Sequence, residues 1–349
     1  MHLGGSTNDP SEGSAAFDAV VDCLPAMKYL QASVDGDGYR VVLAEGPVPV
    51  PAADEVLVKV AASGVNRADL SQIAGRYPPP PGESEILGME LSGVVAGTGE
   101  EVMALVAGGA HAEYVAVPRG QILPVPKRLA LGEAAAIPEA FLTAYLNVVV
   151  EGGLPSGGAA LIHAGASGVG LAAISMAKLL GARVAATTRT AAKLSALEAA
   201  GADLSIDTSS ESFSKSIEEA WGRNAIDVVL DPVGAQTFAG NLEVLAVGGR
   251  IVVIATLSGA TAELSLSALM GKRAGVIGST LRSRPRPEKA ELIARLRREI
   301  VPAFDDGRLS VAIDSTYPPQ RAADAFARMR RNENVGKIVI DWSGLAPSP

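Results

Sequence analysis

Between residues 159 and 181 the spacing of apolar positions changes once. Ala159-Ala-Leu-Ile-His-Ala164 is an apolar run of strand length, and a turn of small residues follows. Beyond it Val169, Ala173, Met176, Ala177 and Leu180 recur at helical spacing, so the stretch predicts strand, tight turn and helix. Five more strand-length runs come later, at 183–187, 204–206, 226–231, 250–255 and 276–280, each separated from the next by a helical stretch. That alternation predicts an α/β doubly wound parallel sheet of Rossmann type. Upstream the pattern differs: 39–44, 55–61, 91–96 and 113–117 are short β-type runs divided by Gly, Pro and Asp, as an antiparallel barrel requires. Residues 130–150, with Pro138 inside, read as mostly helical. After about Pro285 come a charged helix at 288–300, a helix at 320–331 and a strand at 337–341. This part has no core of its own and is expected to return to the barrel.

A chain of 349 residues suits two domains. The pattern divides it into a barrel domain over 27–145, a nucleotide-binding domain over 146–284 and a returning segment over 285–349. Residues 1–26 read as an N-terminal extension: 1–16 are rich in Gly, Ser, Asn and Asp. The apolar stretch 17–24 is broken by Asp18 and Asp22 and follows no basic region, which is not a secretory signal; a weak amphipathic helix is the alternative. The net charge of −8 and the lack of a long basic run argue against a nucleic-acid partner. No apolar stretch approaches a membrane span. One cysteine, Cys23, excludes a disulfide framework and fits a reducing, cytoplasmic compartment. With only His2, His111 and His163 beside it, no metal site is expected.

The turn Gly165-Ala166-Ser167-Gly168-Val169-Gly170 carries the chemistry. Gly165 suits a tight turn, and Ser167 and Gly168 keep side chains small where backbone approaches a pyrophosphate. Gly170 lets the new helix pack on the strand, and that helix's N-terminal N–H groups and dipole hold phosphates. Ser167 stands where the strict fingerprint has its second glycine. About twenty residues on, the end of the second strand carries Thr188, then Arg189, Thr190 and Lys193, where a site for unphosphorylated dinucleotide has an acid. Without the carboxylate a 2′-phosphate is not repelled, and Arg189 and Lys193 attract one, so NADPH is the expected cofactor.

Several stretches resemble the zinc-free quinone oxidoreductase branch of the medium-chain dehydrogenase/reductase superfamily. They are Ala61-Ala-Ser-Gly-Val-Asn66-Arg67-Ala-Asp69-Leu70, Tyr77-Pro-Pro-Pro-Pro-Gly82, Ile86-Leu-Gly88-Met-Glu90-Leu-Ser-Gly93, Ala136-Ile-Pro138-Glu-Ala, His163 to Gly170, and Asn334-Val-Gly336-Lys337-Ile-Val-Ile. The resemblance covers 27–341 and implies a GroES-like antiparallel β-barrel catalytic domain joined to a Rossmann domain, in a homodimer paired through the sixth strand of the nucleotide sheet. Zinc-dependent relatives have a cysteine where this chain has Asn66 and a histidine where it has Met89, neither of which serves zinc here. Alcohol dehydrogenation is therefore disfavoured. Hydride delivery to a quinone or an α,β-unsaturated carbonyl is favoured; an enoyl-thioester reductase and a non-catalytic NADPH-binding protein are the alternatives.

The resemblance also implies further site residues. Asn66 matches a contact at the nicotinamide end, with a turn cap as its plainer role, and Tyr77 matches an active-site phenol able to donate to a carbonyl or relay a proton. Thr143 matches a phosphate contact. Asn334 and Lys337 belong to a loop near the nicotinamide. Gly234 and Thr256 follow the fourth and fifth strands, at the edge where ligands bind. Relatives place a tyrosine after the third strand, where this chain has Thr208 in Ser205-Ile-Asp207-Thr208. Arg282 and Arg284 face the substrate, the phosphates or solvent. His163 reads as a core residue and Glu90 as structural. Relatives carry a longer loop where only Ala96-Gly-Thr-Gly-Glu-Glu101 stands, which leaves the rim of the substrate pocket in question.

Overall fold

The computed structural model describes residues 26–36 and 38–345. The expected extension, its candidate helix at 17–24, Cys23 and His2 lie outside the described residues. Strands β1 (Met27–Asp35) and β2 (Gly38–Gly46) form an antiparallel hairpin. It lies beside a sheet built from β3 (Glu55–Val65), β4 (Glu90–Val95), β5 (Glu101–Leu105), β6 (Tyr114–Pro118) and β7 (Ile122–Pro124). Helix α1 (Arg67–Ile73) follows β3 directly. β3 is the hub of this sheet, with β4 and β6 both antiparallel to it. Alternating apolar residues such as Val56, Val58 and Val60 point into the barrel core. The β4–β5 hairpin closes through the short turn at 96–100, which shortens a loop without interrupting the ladder.

The helical stretch breaks at its proline, as Pro requires. α2 (Leu131–Ala134) stops before it, and α3 (Pro138–Ala144) starts with Pro138 at its first position. A π-helical turn, Tyr145–Glu151, continues to the second sheet. There six strands, β8 (Ala159–Ile162), β9 (Arg183–Thr188), β10 (Leu204–Asp207), β11 (Ile226–Asp231), β12 (Leu245–Val253) and β13 (Gly275–Gly278), lie in the order β10-β9-β8-β11-β12-β13, all parallel. Between them run α4 (Gly168–Leu179), α5 (Leu194–Ala199), α6 (Phe213–Trp221), α7 (Ala235–Val244) and α8 (Leu266–Lys272). Strand order reverses direction between β8 and β11, which places the ligand crevice of such sheets at their carboxyl ends.

After Pro285 the chain forms α9 (Arg286–Glu299), α10 (Val301–Asp305), β14 (Ile313–Tyr317), α11 (Ala322–Arg330) and β15 (Lys337–Asp341). β15 pairs antiparallel with β3, and β14 pairs parallel with β15, so the sheet is not purely antiparallel. Ala322, Ala325, Phe326 and Met329 of α11 pack in the barrel core with Ile338, Ile340 and Trp342.

Candidate functional site

The turn after β8 differs in detail from its expected form. The left-handed residue is Ala164, at φ 49°, rather than Gly165. Gly165 is favoured for a different reason: a Cβ there would press on Leu197 at 3.1 Å and Ala186 at 3.2 Å. At Gly170 a Cβ would lie 2.5 Å from the Ala164 carbonyl oxygen, so the helix can pack on the strand end only with glycine. Ser167 is the N-cap of α4, its Oγ accepting from the Gly170 N–H at 3.0 Å. Among the described residues the N–H groups of Ala166 and Val169 have no acceptor, while Gly168 takes part in the bridge between the turn and Gly336. Two free donors at the positive end of a twelve-residue helix fit a pyrophosphate. Behind the turn a cavity of about 200 Å³ is lined by Gly168, Ala172, Ser175, Ala196 and Lys337.

At the end of β9 the Thr188 carbonyl accepts from both the backbone and the hydroxyl of Thr208. Arg189 is exposed and makes no hydrogen bond among the described residues. Lys193 departs from expectation: its ammonium donates to the carbonyls of Asn332 and Asn334 at 2.6 and 2.8 Å, and so ties down a loop. The Asn334 side chain holds the Gly336 carbonyl, and the Gly336 N–H donates to the Ala166 carbonyl at 2.9 Å. The stretch 332–336 is thereby pinned onto the glycine turn. Gly234, at φ 87°, bridges to Gly259 beside the exposed Thr256, forming a rim beyond β11 and β12.

Beneath the crevice is a buried polar chain. The Asp231 carboxylate accepts from the N–H groups of Val233 and Gly234, from Thr237 Oγ1 and from Asn241 Nδ2. The Asn241 oxygen then faces His163 Nε2 at 2.7 Å, and His163 Nδ1 faces Thr187 Oγ1 at 2.9 Å. Burial pushes the His163 pKa down, so the ring is a neutral core residue that ties β8 to its neighbours.

The other end of the cleft centres on a buried ion pair. The Lys337 ammonium contacts Glu90 Oε1 and donates to Asn66 Oδ1 at 2.6 Å and to the Val65 carbonyl at 3.0 Å. Asn66 Nδ2 donates to Glu90 Oε1 at 2.9 Å and to the Gly64 carbonyl. The other Glu90 oxygen accepts from the Glu139 N–H at 2.9 Å. Gly64 makes the arrangement possible, since a Cβ there would collide with the Glu90 carboxylate. Asn66 stands at the N-cap position of α1, but its amide is committed to the ion pair, and its backbone N–H is bound by Asp69 at 2.7 Å. Gly168 likewise clears the path of the Lys337 stem, whose Cδ occupies the space a Cβ there would need. One lysine thus touches both the glycine turn and the buried ion pair.

Glu139 is the group the sequence did not single out. Burial and the neighbouring Glu90 raise its carboxyl to about 7, while Lys337 pulls the other way. Thr143, buried, donates its hydroxyl to Glu139 at 3.3 Å. Tyr77 is half-buried, and burial and Glu139 raise its phenol above the usual range. The tyrosine is held by Arg282, the clearest correction to the sequence reading. That guanidinium is buried and donates to the carbonyls of Ala107 at 2.6 Å and Tyr77 at 2.9 Å and to Gln72 Oε1 at 2.7 Å, while stacking 5.3 Å from the Tyr77 ring centre. It is a clamp from the nucleotide side onto the barrel rather than a solvated side chain. Arg284 instead pairs with Glu151 and Glu288. A groove of about 830 Å³ on the barrel, between β1 and the proline stretch, borders this clamp through Gln72, Pro78 and Ala107; residues 96–101 line neither cavity.

A GroES-like barrel joined to a Rossmann sheet through a shared cleft defines a two-domain nucleotide-dependent dehydrogenase class. The chain belongs to the medium-chain dehydrogenase/reductase superfamily: the alcohol dehydrogenase GroES-like domain matches residues 52–127, and the zinc-binding dehydrogenase domain matches 168–298. It is 32% identical over 300 residues to a phenolphthiocerol/phthiocerol polyketide synthase of Mycobacterium tuberculosis, a match that covers 83% of this chain. The chain spans 14% of that synthase's length. It also resembles the crystal structure of a Pseudomonas syringae quinone oxidoreductase, 27% identical with a TM-score of 0.79, over 90% of this chain and 99% of that one. A mycobacterial protein crystallised with NADPH is 28% identical, with a TM-score of 0.79 and the same coverage.

Proposed function

We propose that the protein is an NADPH-dependent, zinc-free oxidoreductase that delivers a hydride to a quinone or an α,β-unsaturated carbonyl. The observation that carries this reading is the carboxylate-free, cationic end of β9 beside the free N–H donors of the glycine turn. Gly165 to Gly170 would hold the pyrophosphate, Thr188, Arg189 and Thr208 would line the 2′-phosphate, and Gly234, Thr256, Asn334 and Lys337 would border the remainder. NADPH, when bound, supplies the hydride. Tyr77, like any phenol, keeps its proton at neutral pH, and burial and Glu139 hold that proton more firmly still, so its hydroxyl is available to an acceptor oxygen gaining charge. Asn66 and Thr143 act by position, one holding Glu90 and Lys337, the other Glu139. Where zinc-dependent relatives place ligands, an ammonium ion already sits between Asn66 and Glu90, and Met89 offers no harder donor. That supports the zinc-free reading, which elemental analysis of purified protein tests directly.

The experiment is an acceptor screen followed by the loss of NADPH absorbance. Turnover with quinones or enones supports the proposal; NADPH binding without consumption by any acceptor would reduce the protein to a nucleotide binder. The similarity to a polyketide synthase favours a second reading, enoyl-thioester reduction. A rate with an enoyl thioester far above that with any quinone would select it.

A further inference from the structure

Among the described residues, two cations from different parts of the fold converge on one asparagine. Arg67, at the start of α1 in the barrel, donates from Nη2 to Asn332 Oδ1 at 2.5 Å and to the Met329 carbonyl at 3.1 Å. Lys193, after β9 of the nucleotide sheet, donates to the Asn332 carbonyl at 2.6 Å. All of these acceptors are neutral. The nearby acid Asp314 is already engaged, forked by Arg328 at 2.6 and 2.9 Å. Nε and Nη1 of Arg67 donate to nothing among the described residues, and neither does any nitrogen of Arg189.

Arg67, Lys193 and Arg189 repel one another, and the nearby acid Asp314, engaged by Arg328, offsets this only in part. Burial first and then Arg189 hold the Arg67 pKa below its usual range; Lys193 is lowered by burial, raised in part by Asp314, and lowered again by Arg328, Arg67 and Arg189. Exposed arginines ordinarily relieve such repulsion by turning into solvent. Arg67 cannot, because Asn332 and Met329 hold it half-buried. The loop it grips is the one fixed to the glycine turn through Gly336 and Ala166, so the cluster lies beside the phosphate-binding backbone.

We infer that Arg67 completes, from the barrel side, the 2′-phosphate site that Arg189 opens from the nucleotide side. This rests on the NADPH reading and deepens it. The phosphate would accept from the free nitrogens of both guanidinium groups, as planar forks favour, and would neutralise a cluster the fold holds together at a cost. Lys193 serves the site at one remove by fixing Asn332. Because Arg67 and Arg189 belong to different domains, the 2′-phosphate would also tie the barrel to the nucleotide sheet, whereas a nucleotide lacking it would not.

The test uses nucleotide fragments and needs no turnover. Binding of adenosine 2′,5′-bisphosphate and of 5′-AMP is measured by calorimetry on the full chain for the unaltered protein, Arg67→Gln, Arg67→Lys and Arg189→Gln. Arg67→Gln is expected to weaken the bisphosphate by about ten- to a hundredfold and to leave 5′-AMP unchanged. Arg67→Lys, which keeps the charge but not the fork, is expected to recover part of the loss. An Arg67→Gln protein that retains the full preference for the bisphosphate overturns the inference while leaving the NADPH reading intact. An unaltered protein that binds both fragments equally overturns the NADPH reading, and this inference with it. Should Arg67→Gln fail to fold, Arg67→Lys decides alone: bisphosphate affinity equal to that of the unaltered protein, with the thermal midpoint unchanged, counts against a forked contact.

Discussion

Lys337 Nζ donates to the side-chain oxygen of Asn66 at 2.6 Å, across 271 positions of sequence. The same ammonium compensates the fully buried Glu90, so its removal leaves a carboxylate among neutral groups. Lys337→Met should destabilise the protein by about 3–5 kcal/mol, the usual penalty of breaking a buried pair from one side. Urea unfolding measures it. Glu90→Gln combined with Lys337→Met should return much of that loss; a double variant as unstable as the single one would show that the lysine stem, not its charge, is what matters.

Glu139 gives a pH signature. Its carboxyl is raised from 4.5 to about 7, so between those values the native state binds more protons than the unfolded chain. Its contribution is therefore fully present below the lower value and is lost as pH rises through the upper one. Glu139→Gln should match the unaltered protein near pH 4 and exceed it in stability at pH 8, by roughly 1–3 kcal/mol once partial exposure is discounted. Denaturation midpoints at both pH values check this. An equal deficit at both would indicate lost packing.

Tyr77→Phe removes a hydroxyl while the ring remains under Arg282. Turnover should fall about a hundredfold, a typical loss for a missing proton donor, with NADPH affinity nearly unchanged. Steady-state rates with an acceptor whose chemistry limits turnover provide the readout.

Cofactor choice should follow charge at the end of β9. Arg189→Ala should raise KM for NADPH by about ten- to a hundredfold, because one charge-assisted contact is worth roughly 1.5–3 kcal/mol, and leave that for NADH almost unmoved. Thr188→Asp should shift preference towards NADH. Equal weakening of both would remove Arg189 from the phosphate.

One of the two open edges of the nucleotide sheet is β13, where Val276 is 39% exposed, and Met270 in the preceding helix is 76% exposed. An edge with apolar flanks is a site for pairing with a second copy, so a homodimer is expected by light scattering at micromolar concentration. Val276→Lys should yield monomers, since charge at an edge strand blocks pairing.

The nucleotide sheet was legible because short apolar runs fill the buried positions of its central strands, most plainly in β8, whose four residues are all buried. β14 was not: Ile313-Asp-Ser-Thr-Tyr317 alternates weakly and owes its place to β15. Motif residues gave the location of the site but not the use of each side chain. Nothing local to Asn66 says that its amide is spent on Glu90 and Lys337, and nothing around Arg282 distinguishes a buried clamp from a solvated arginine. Glu139 went unnoticed because an acid just after a helix-starting proline is ordinary; its unusual surroundings come from Glu90, 49 positions away.

The pairing of β15 with β3 has a consequence for biosynthesis. Strands β8 to β13 are contiguous in the chain and leave the ribosome as a set. By contrast, β3 must wait for a partner encoded near residue 340, and the core under it waits for α11. The barrel is thus open along a seam throughout synthesis of the nucleotide sheet, with Ile338 and Ile340 still to be supplied. A nascent chain halted before residue 337 would carry a finished dinucleotide fold beside an unsealed apolar sheet, the kind of surface that chaperones engage.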